Sequence, residues 1–480
     1  AATRVDENGL VNYAEIVGDE EVTNGDFATD TDWTKGSAWS ISGNNANFDD
    51  STNSGISQSM VFTASKTYKV DFEITSGSGS IAFLSSNGAT TYVSYATYGV
   101  GTYSVEFNYT TGSGFGIFGS SFLGGAFSID NVSVKEVTRD NVPRIDYTGG
   151  GCPHILAEPQ RTNDIQYSQD FSNAVWNNSS IGTTPVLTSG FTSPDGTDNA
   201  YKISNANQDS FWFISGTVSA TDSRTIYART VSGTGTAQLL SHNSNTNNTF
   251  NLTEEWQRFE VSTTTSGIGN TSYYAVDFRG SGTLTELLIW GAQSEVGSYP
   301  TSYIPNFGAA AGVTRNQDIF TRDGIGSLIN STEGVLFLEM AAISIDNSGA
   351  NIQSIYINDG TDSNRIAIRY ANGINTVNFL IQSTGSAAQQ QNIVVSDVSS
   401  MSKLAIRWSN NDVSFWINGV QVGTTITTFV TFTSDILSQV NFLRSNDTEY
   451  FYGKVKQLQV YTTALTDEQL LQLTGESGTD

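Results

Sequence analysis

Apolar and polar residues alternate with period two along most of this chain. TYKVDFEI (67–74), TYSVEFNY (102–109), AFSIDNVSV (126–134), NRIAIRYA (364–371) and VSFWING (413–419) all run this way, bounded by Gly, Asn, Ser or Asp. Successive side chains of a strand point to opposite faces, so the pattern predicts half-buried antiparallel strands of ordinary length. Helical spacing is convincing once, in TDEQLLQLTG (466–475). There Thr466 suits an N-cap, Asp467 and Glu468 suit the first turn, and Gly475 can close the helix. The prediction is an all-β chain with one short C-terminal helix.

The strands fall into three blocks. Block one opens with TNGDFATDTDW (23–33) and ends with FSIDNVSVKEV (127–137); block two opens with YSQDFSNAVW (167–176) and ends with TELLIWGAQSEVGSYPTSYIP (285–305). Both begin with Asp-Phe followed by Trp, and both end in an alternating strand with a polar residue near its middle. Such a plan brings first and last strands together, as in a two-sheet jelly roll. Block three centres on KLAIRWSNNDVSFWINGVQVGTT (403–425), whose Asn418-Gly419 pair is a strong hairpin signal. The expected organisation is an N-terminal arm (1–20), a first jelly roll (21–137), an irregular connector (138–163), a second jelly roll (164–305), a linker (306–325) and a third sandwich (326–480). Residues 1–16 also read as half of a strand-turn-strand element, which leaves open that block one is an insertion between the arm and the connector.

Composition narrows the function. The 480 residues carry 22 Lys+Arg against 47 Asp+Glu, a net charge of −25, yet only 14% are charged. An average globular protein has about 25%, so the polarity here comes from Ser, Thr, Asn, Gln and Gly. Excess carboxylate repels phosphate backbones, and no basic patch offsets it, so nucleic acid is not an expected partner. No run of 18 apolar residues occurs, so membrane insertion by a helix is not expected. The first 15 residues lack the basic and apolar regions of a leader peptide. Cys152 is the single cysteine, so no internal disulfide forms.

Candidate chemistry is sparse. The two histidines, His154 and His242, give no sign of a nucleophile–base–orienting-group arrangement, and with Cys152 they are one ligand short of a zinc site. A glycosidase needs only two carboxylates; Glu339, alone on a strand, reads more plainly as a solvent-facing side chain. The Gly-rich stretches lack the Lys-Ser/Thr ending of a phosphate loop. No catalytic residues are expected. Sugar binding needs aromatic faces beside planar polar groups. The candidates are Tyr92, Tyr95 and Tyr98 in TTYVSYATYG, together with Trp212, Tyr273 and Tyr274. Trp33, Trp176, Trp290, Trp408 and Trp416 read as core.

Block three resembles the laminin-G-like, concanavalin A-like lectin fold through LAIRW…VSFWINGVQVG and GKVKQLQVYTTALTDEQL. LAEPQRTN in the connector and GAQSEVGSYPTSYIP closing block two resemble a module of bacteriophage tail and fibre-like virion proteins. Block one is similar to carbohydrate-binding modules of the jelly-roll type. The fold implied is three β-sandwiches in tandem, jelly-roll and concanavalin A-like. The function implied is a non-enzymatic virion surface protein, such as a tail fibre, tail tip or capsid decoration, that binds host-surface polysaccharide. Its partners would be other virion proteins and further copies of itself, a trimer for a fibre. Two alternatives remain: a purely structural virion component, and a secreted bacterial protein that binds or degrades polysaccharide. Resemblance to the carbohydrate-binding jelly rolls also implies a structural calcium where first and last strands meet, at Asp26 and Asp130, although Ala28 stands where those modules usually have Glu. Asp170, Gln293 and Glu295 hold similar positions in block two.

Overall fold

In a computed structural model, residues 2–139, 142–180, 183–207, 210–215, 222–240, 248–262, 273–279, 282–343, 352–371 and 373–475 are described. The chain divides into two compact units, residues 15–142 and residues 1–14 with 143–480. The 15–142 segment is thus inserted in sequence between two parts of the larger unit.

The smaller unit is one β-sandwich. One sheet orders strands Thr91–Tyr98, Gly79–Leu84, Phe115–Ser120, Ser54–Gln58 and Thr34–Lys35; the other orders Gly101–Asn108, Thr67–Gly77, Phe127–Thr138, Ala46–Phe48 and Trp39–Ile41. Alternation does what the pattern predicts in Thr67–Gly77: Tyr68, Val70, Phe72 and Ile74 are buried and the residues between them are not. They meet Phe83, Phe107, Phe115 and Ile117 in one core.

The polar residue in the middle of Phe127–Thr138 marks a bulge. Pairing with Thr67–Gly77 shifts between Asp130 and Ser133, and Asn131 takes φ 53°. The bulge frees Val132 N–H to donate to Gly25 O at 2.9 Å, which ties the opening turn to the last strand. Only glycine fits at 25, because a Cβ there would lie 1.9 Å from Val132 O. The second block repeats this device. Strand Leu287–Val296 shifts register between Trp290 and Gln293, Gly291 takes φ 64°, and Ala292 N–H donates to Ser168 O at 2.9 Å. In each block the tryptophan of the opening motif donates its indole N–H to the carbonyl nine residues earlier, Trp33 to Asn24 at 3.0 Å and Trp176 to Tyr167 at 3.1 Å.

The larger unit holds two sandwiches. The first of them packs the sheet Val186–Phe191, Ala200–Ser204, Leu287–Val296, Asp222–Arg229, Gln257–Val261 against Asn177–Ser179, Phe211–Ser215, Tyr273–Asp277, Gly235–Leu239, Thr249–Leu252. In the other, the central strand Gly334–Ala342 is buried at every position. One face meets the main core through Leu336, Leu338 and Met340; the other meets Trp416 and, through Leu470, the helix Asp467–Thr474. A strand covered on both faces reads as a continuous apolar run, which is why VLFLEM does not alternate. Asn418 and Gly419 form the expected two-residue turn with φ 46° and 81°, joining Ile417 to Val420. The helix carries the expected cap: Thr466 Oγ1 accepts from Gln469 N and the Gln469 side chain accepts from Thr466 N.

Two segments differ from the irregular stretches expected of them. Ile145–Asp146 and His154–Ala157 pair with each other and extend the seven-stranded sheet through Gly453–Tyr461. Farther along, Arg161–Asn163 pairs with Val313–Arg315, inside the expected linker. These strands have two to four residues, too short to show a period. The N-terminal arm divides: Thr3–Val5 with Val11–Tyr13 is a hairpin, held to the larger unit by Tyr147 N–H on Val5 O at 3.0 Å and Val11 N–H on Pro194 O at 2.9 Å, while Ile16–Glu20 pairs with Phe127–Thr138 in the smaller unit.

Candidate functional site

A cleft of about 530 Å³ opens on the second block, at the edge strand Val186–Phe191. That strand bulges between Ser189 and Phe191, with Gly190 at φ 90° and nothing within 4 Å of where a Cβ would point. The bulge therefore keeps the cleft open instead of filling it. Tyr201 enters from the neighbouring strand, Tyr167 and Asp170 from the opening motif, Asp198 and Asn199 from the turn before Tyr201, and Phe307 from the segment after the last strand. Phe307 is 69% exposed, a large apolar face left in water.

Polar groups around these rings are partly committed. Asp170 Oδ1 accepts from Tyr201 Oη at 2.9 Å and from Ser172 N at 3.1 Å. Burial alone would raise the Asp170 carboxyl, but these hydrogen bonds outweigh it and hold it below the usual range. Asp198 Oδ1 accepts from Thr192 Oγ1 at 2.7 Å. Asn199 donates to Asp195 at 3.1 Å while its own Oδ1 is buried without a partner among the described residues. Rings beside amide and carboxylate groups are the chemistry that holds a polyhydroxylated ligand: CH faces lie on aromatics and hydroxyls pair with planar polar groups.

Of the residues singled out from sequence, Asp170 lies in this cleft. The aromatic candidates are mostly structural. Tyr92 is stacked on Phe107 (4.7 Å, 8°), donates to Gly114 O at 3.0 Å, and burial pushes its hydroxyl up to about 12. Tyr98 packs edge-on against Phe72 and Tyr103, and Tyr95 alone of the three is exposed, at 42%. Trp212 and Tyr274 are corrections: both belong to the core, and Tyr274 Oη donates to Thr225 O at 2.6 Å. Tyr273 points to the other face of its strand, half-buried against Phe213. Glu339 is not solvent-facing either; it is buried with Gln457 at 3.0 Å and Lys456 at 3.2 Å. Cys152 is exposed, His154 is buried 3.6 Å from Asp146, and His242 lies outside the described residues.

The proposed calcium ligands divide. Asp130 is pushed up, first by burial and then by the charges of Glu73 and Asp26. A cation would relieve that repulsion, and Glu73, directly opposite Asp130 in the register, escaped notice in the sequence. Among the described residues, however, no three such groups converge closely enough to hold a metal. In block two, Glu295 accepts from Thr301 N and from Thr301 Oγ1 at 2.7 Å, and Gln293 Oε1 accepts from Ile304 N at 2.6 Å. Both side chains are fully buried and locked to the returning PTSYIP segment, so they do not fit a metal alongside Asp170.

The same lock extends to the motif in the connector. Glu158 accepts from Arg144 at 2.7 Å, from Ser302 N at 2.9 Å and from Arg315, while Arg144 also reaches Asp318. Asn163 donates to Ile304 O at 2.8 Å and Ala292 O at 3.1 Å. The polar residues of LAEPQRTN and GAQSEVGSYPTSYIP are thus the joint of the larger unit.

Comparison with solved structures finds matches of low identity. The Ruminococcus gnavus IT-sialidase CBM40 bound to alpha2,3 sialyllactose is 19% identical over 32% of this chain and 98% of its own, with TM-score 0.27. Domain 4 of the extracellular arabinanase AbnA from Geobacillus stearothermophilus, in complex with arabinotriose, is 18% identical over 35% and 83%, TM-score 0.25. The receptor binding domain of botulinum neurotoxin C/D mosaic serotype is 11% identical over 32% and 39%, TM-score 0.25. No curated protein matches the chain. Within the third sandwich, residues 341–471 match the family model of the concanavalin A-like lectin/glucanases superfamily, Laminin_G_3.

Proposed function

We propose that this protein is a non-enzymatic, glycan-binding surface subunit of a virus particle. The observation that carries the glycan reading is the cleft beside Gly190, where Tyr201 and the exposed Phe307 stand among carboxylate and amide groups. The lectin-superfamily match of residues 341–471 supports it. A glycosidase needs a carboxylic acid kept protonated to donate to the leaving oxygen, and Asp170, hydrogen-bonded to Tyr201 and Ser172 and held down, does not supply that acid. The virion assignment rests on the resemblance of the connector and closing motifs, as does assembly into a homo-oligomer, a trimer in a fibre. Repeated weak sites on such a particle would gain avidity without new contacts.

The test is a glycan array probed with the full chain at high density. Binding to one class of polysaccharide is expected. No binding at any density overturns the glycan reading and leaves the purely structural virion component in its place.

A further inference from the structure

We infer that the cleft on the second block selects neutral over acidic glycans; the inference rests on the glycan reading above and adds the class of sugar. Two carboxylates, Asp170 and Asp198, line the cleft, and no Lys or Arg is among the described residues that do. The cation on the adjoining strand, Lys202, is engaged elsewhere: its ammonium lies 5.6 Å above the Phe191 ring and 3.9 Å from Glu286. A sialic acid or uronate placed on Tyr201 and Phe307 would bring a third carboxylate among two, with no counter-charge at hand. Like charges within several ångströms at a partly desolvated surface repel strongly enough to decide between ligands. A neutral sugar meets the same groups as hydrogen-bond acceptors. Its hydroxyls can donate to the second oxygen of Asp198, which an ionised carboxylate cannot do.

The full chain is titrated with neutral oligosaccharides and with matched forms carrying one sialic acid or one uronate, at low and at high salt. Each titration is repeated with Ser189→Trp, which fills the cleft from an exposed strand position, and with Asp198→Asn. The expected result is neutral binding that Ser189→Trp abolishes, with the acidic forms at least tenfold weaker. That gap should narrow threefold or more in Asp198→Asn and in high salt, where the Debye length is short. An acidic form that binds as tightly as its neutral counterpart and is lost in Ser189→Trp overturns the selectivity but leaves the glycan reading standing. Binding insensitive to Ser189→Trp overturns the assignment to this cleft. Absence of binding by every sugar overturns the glycan reading itself.

Discussion

Glu158 accepts a hydrogen bond from Arg144 at 2.7 Å, Oε2 to Nη1, although the two side chains are only 5% and 1% exposed. Arg315 shares the same carboxylate oxygen. Burial works to raise the Glu158 carboxyl, but the two guanidinium groups outweigh it and hold it at about 2, against 4.5 for a free side chain. The fold therefore binds fewer protons here than the unfolded chain does. Its contribution is complete above about 4.5 and is lost as pH falls toward about 2. Glu158→Gln leaves two buried guanidinium groups short of charge and should cost ~3–5 kcal/mol near neutrality. Urea titrations at stepwise lower pH should show the variant and the parent converging; a gap that stays constant to pH 2 would remove the ion pair from the account.

Asp130 works in the opposite direction. Its carboxyl is raised in the folded state, so the stability it lends is present below the unfolded value and is lost as pH rises through the folded one. Asp130→Asn should raise the melting temperature of the 15–142 unit slightly at neutral pH. Added calcium should raise it for the parent more than for the variant if a cation takes this place. Scanning calorimetry with chelator and with calcium distinguishes a relieved repulsion from a bound ion.

Phe307 and Tyr201 provide a test of the cleft that is nearly free of folding effects. Phe307→Ala removes an exposed ring, so unfolding should not change, while glycan affinity should fall about tenfold, the scale of an anchoring aromatic. Tyr201→Phe keeps the ring and loses the hydroxyl that Asp170 accepts from, so its binding loss should be smaller. Isothermal titration with a sugar identified on the array reads both.

Thr466→Ala should cost about 1 kcal/mol by leaving the Gln469 N–H without its acceptor. Amide exchange should then quicken in 467–474, whose Leu470 shares one buried cluster with Val335, Phe337 and Trp416. Thr466→Ser should restore protection.

The sequence made the regular parts readable, and the physical reason is visible in what it left unread. Period-two alternation exposes a strand with one wet face, as in Thr67–Gly77, and the Asn418-Gly419 turn needs no partner to be recognised. Alternation does not say which face is inward. Tyr273 and Tyr274 are neighbours on one strand, and only packing by the opposite sheet makes Tyr274 core and Tyr273 half-buried. Bulges at Asn131 and Gly291 shift the count by one and look like a stray polar or small residue. The cleft stayed hidden because Tyr201 sits in an ordinary alternating stretch, while Phe307 lies more than a hundred residues from it. Glu158 and Arg315, 157 residues apart, meet only through the fold.

The interrupted larger unit also determines how the molecule carries load. The N-terminal hairpin is tied to the stretch after the insertion by Tyr147 N–H on Val5 O, Val5 N–H on Asp146 at 3.0 Å and Arg144 on Thr3 O at 3.3 Å. The C-terminal helix is anchored in the same unit. Tension between hairpin and helix therefore passes across these bonds and bypasses residues 15–142, whose sandwich stays slack until the hairpin is torn away. An exchanged or unfolded insert would leave that path across the larger unit unchanged.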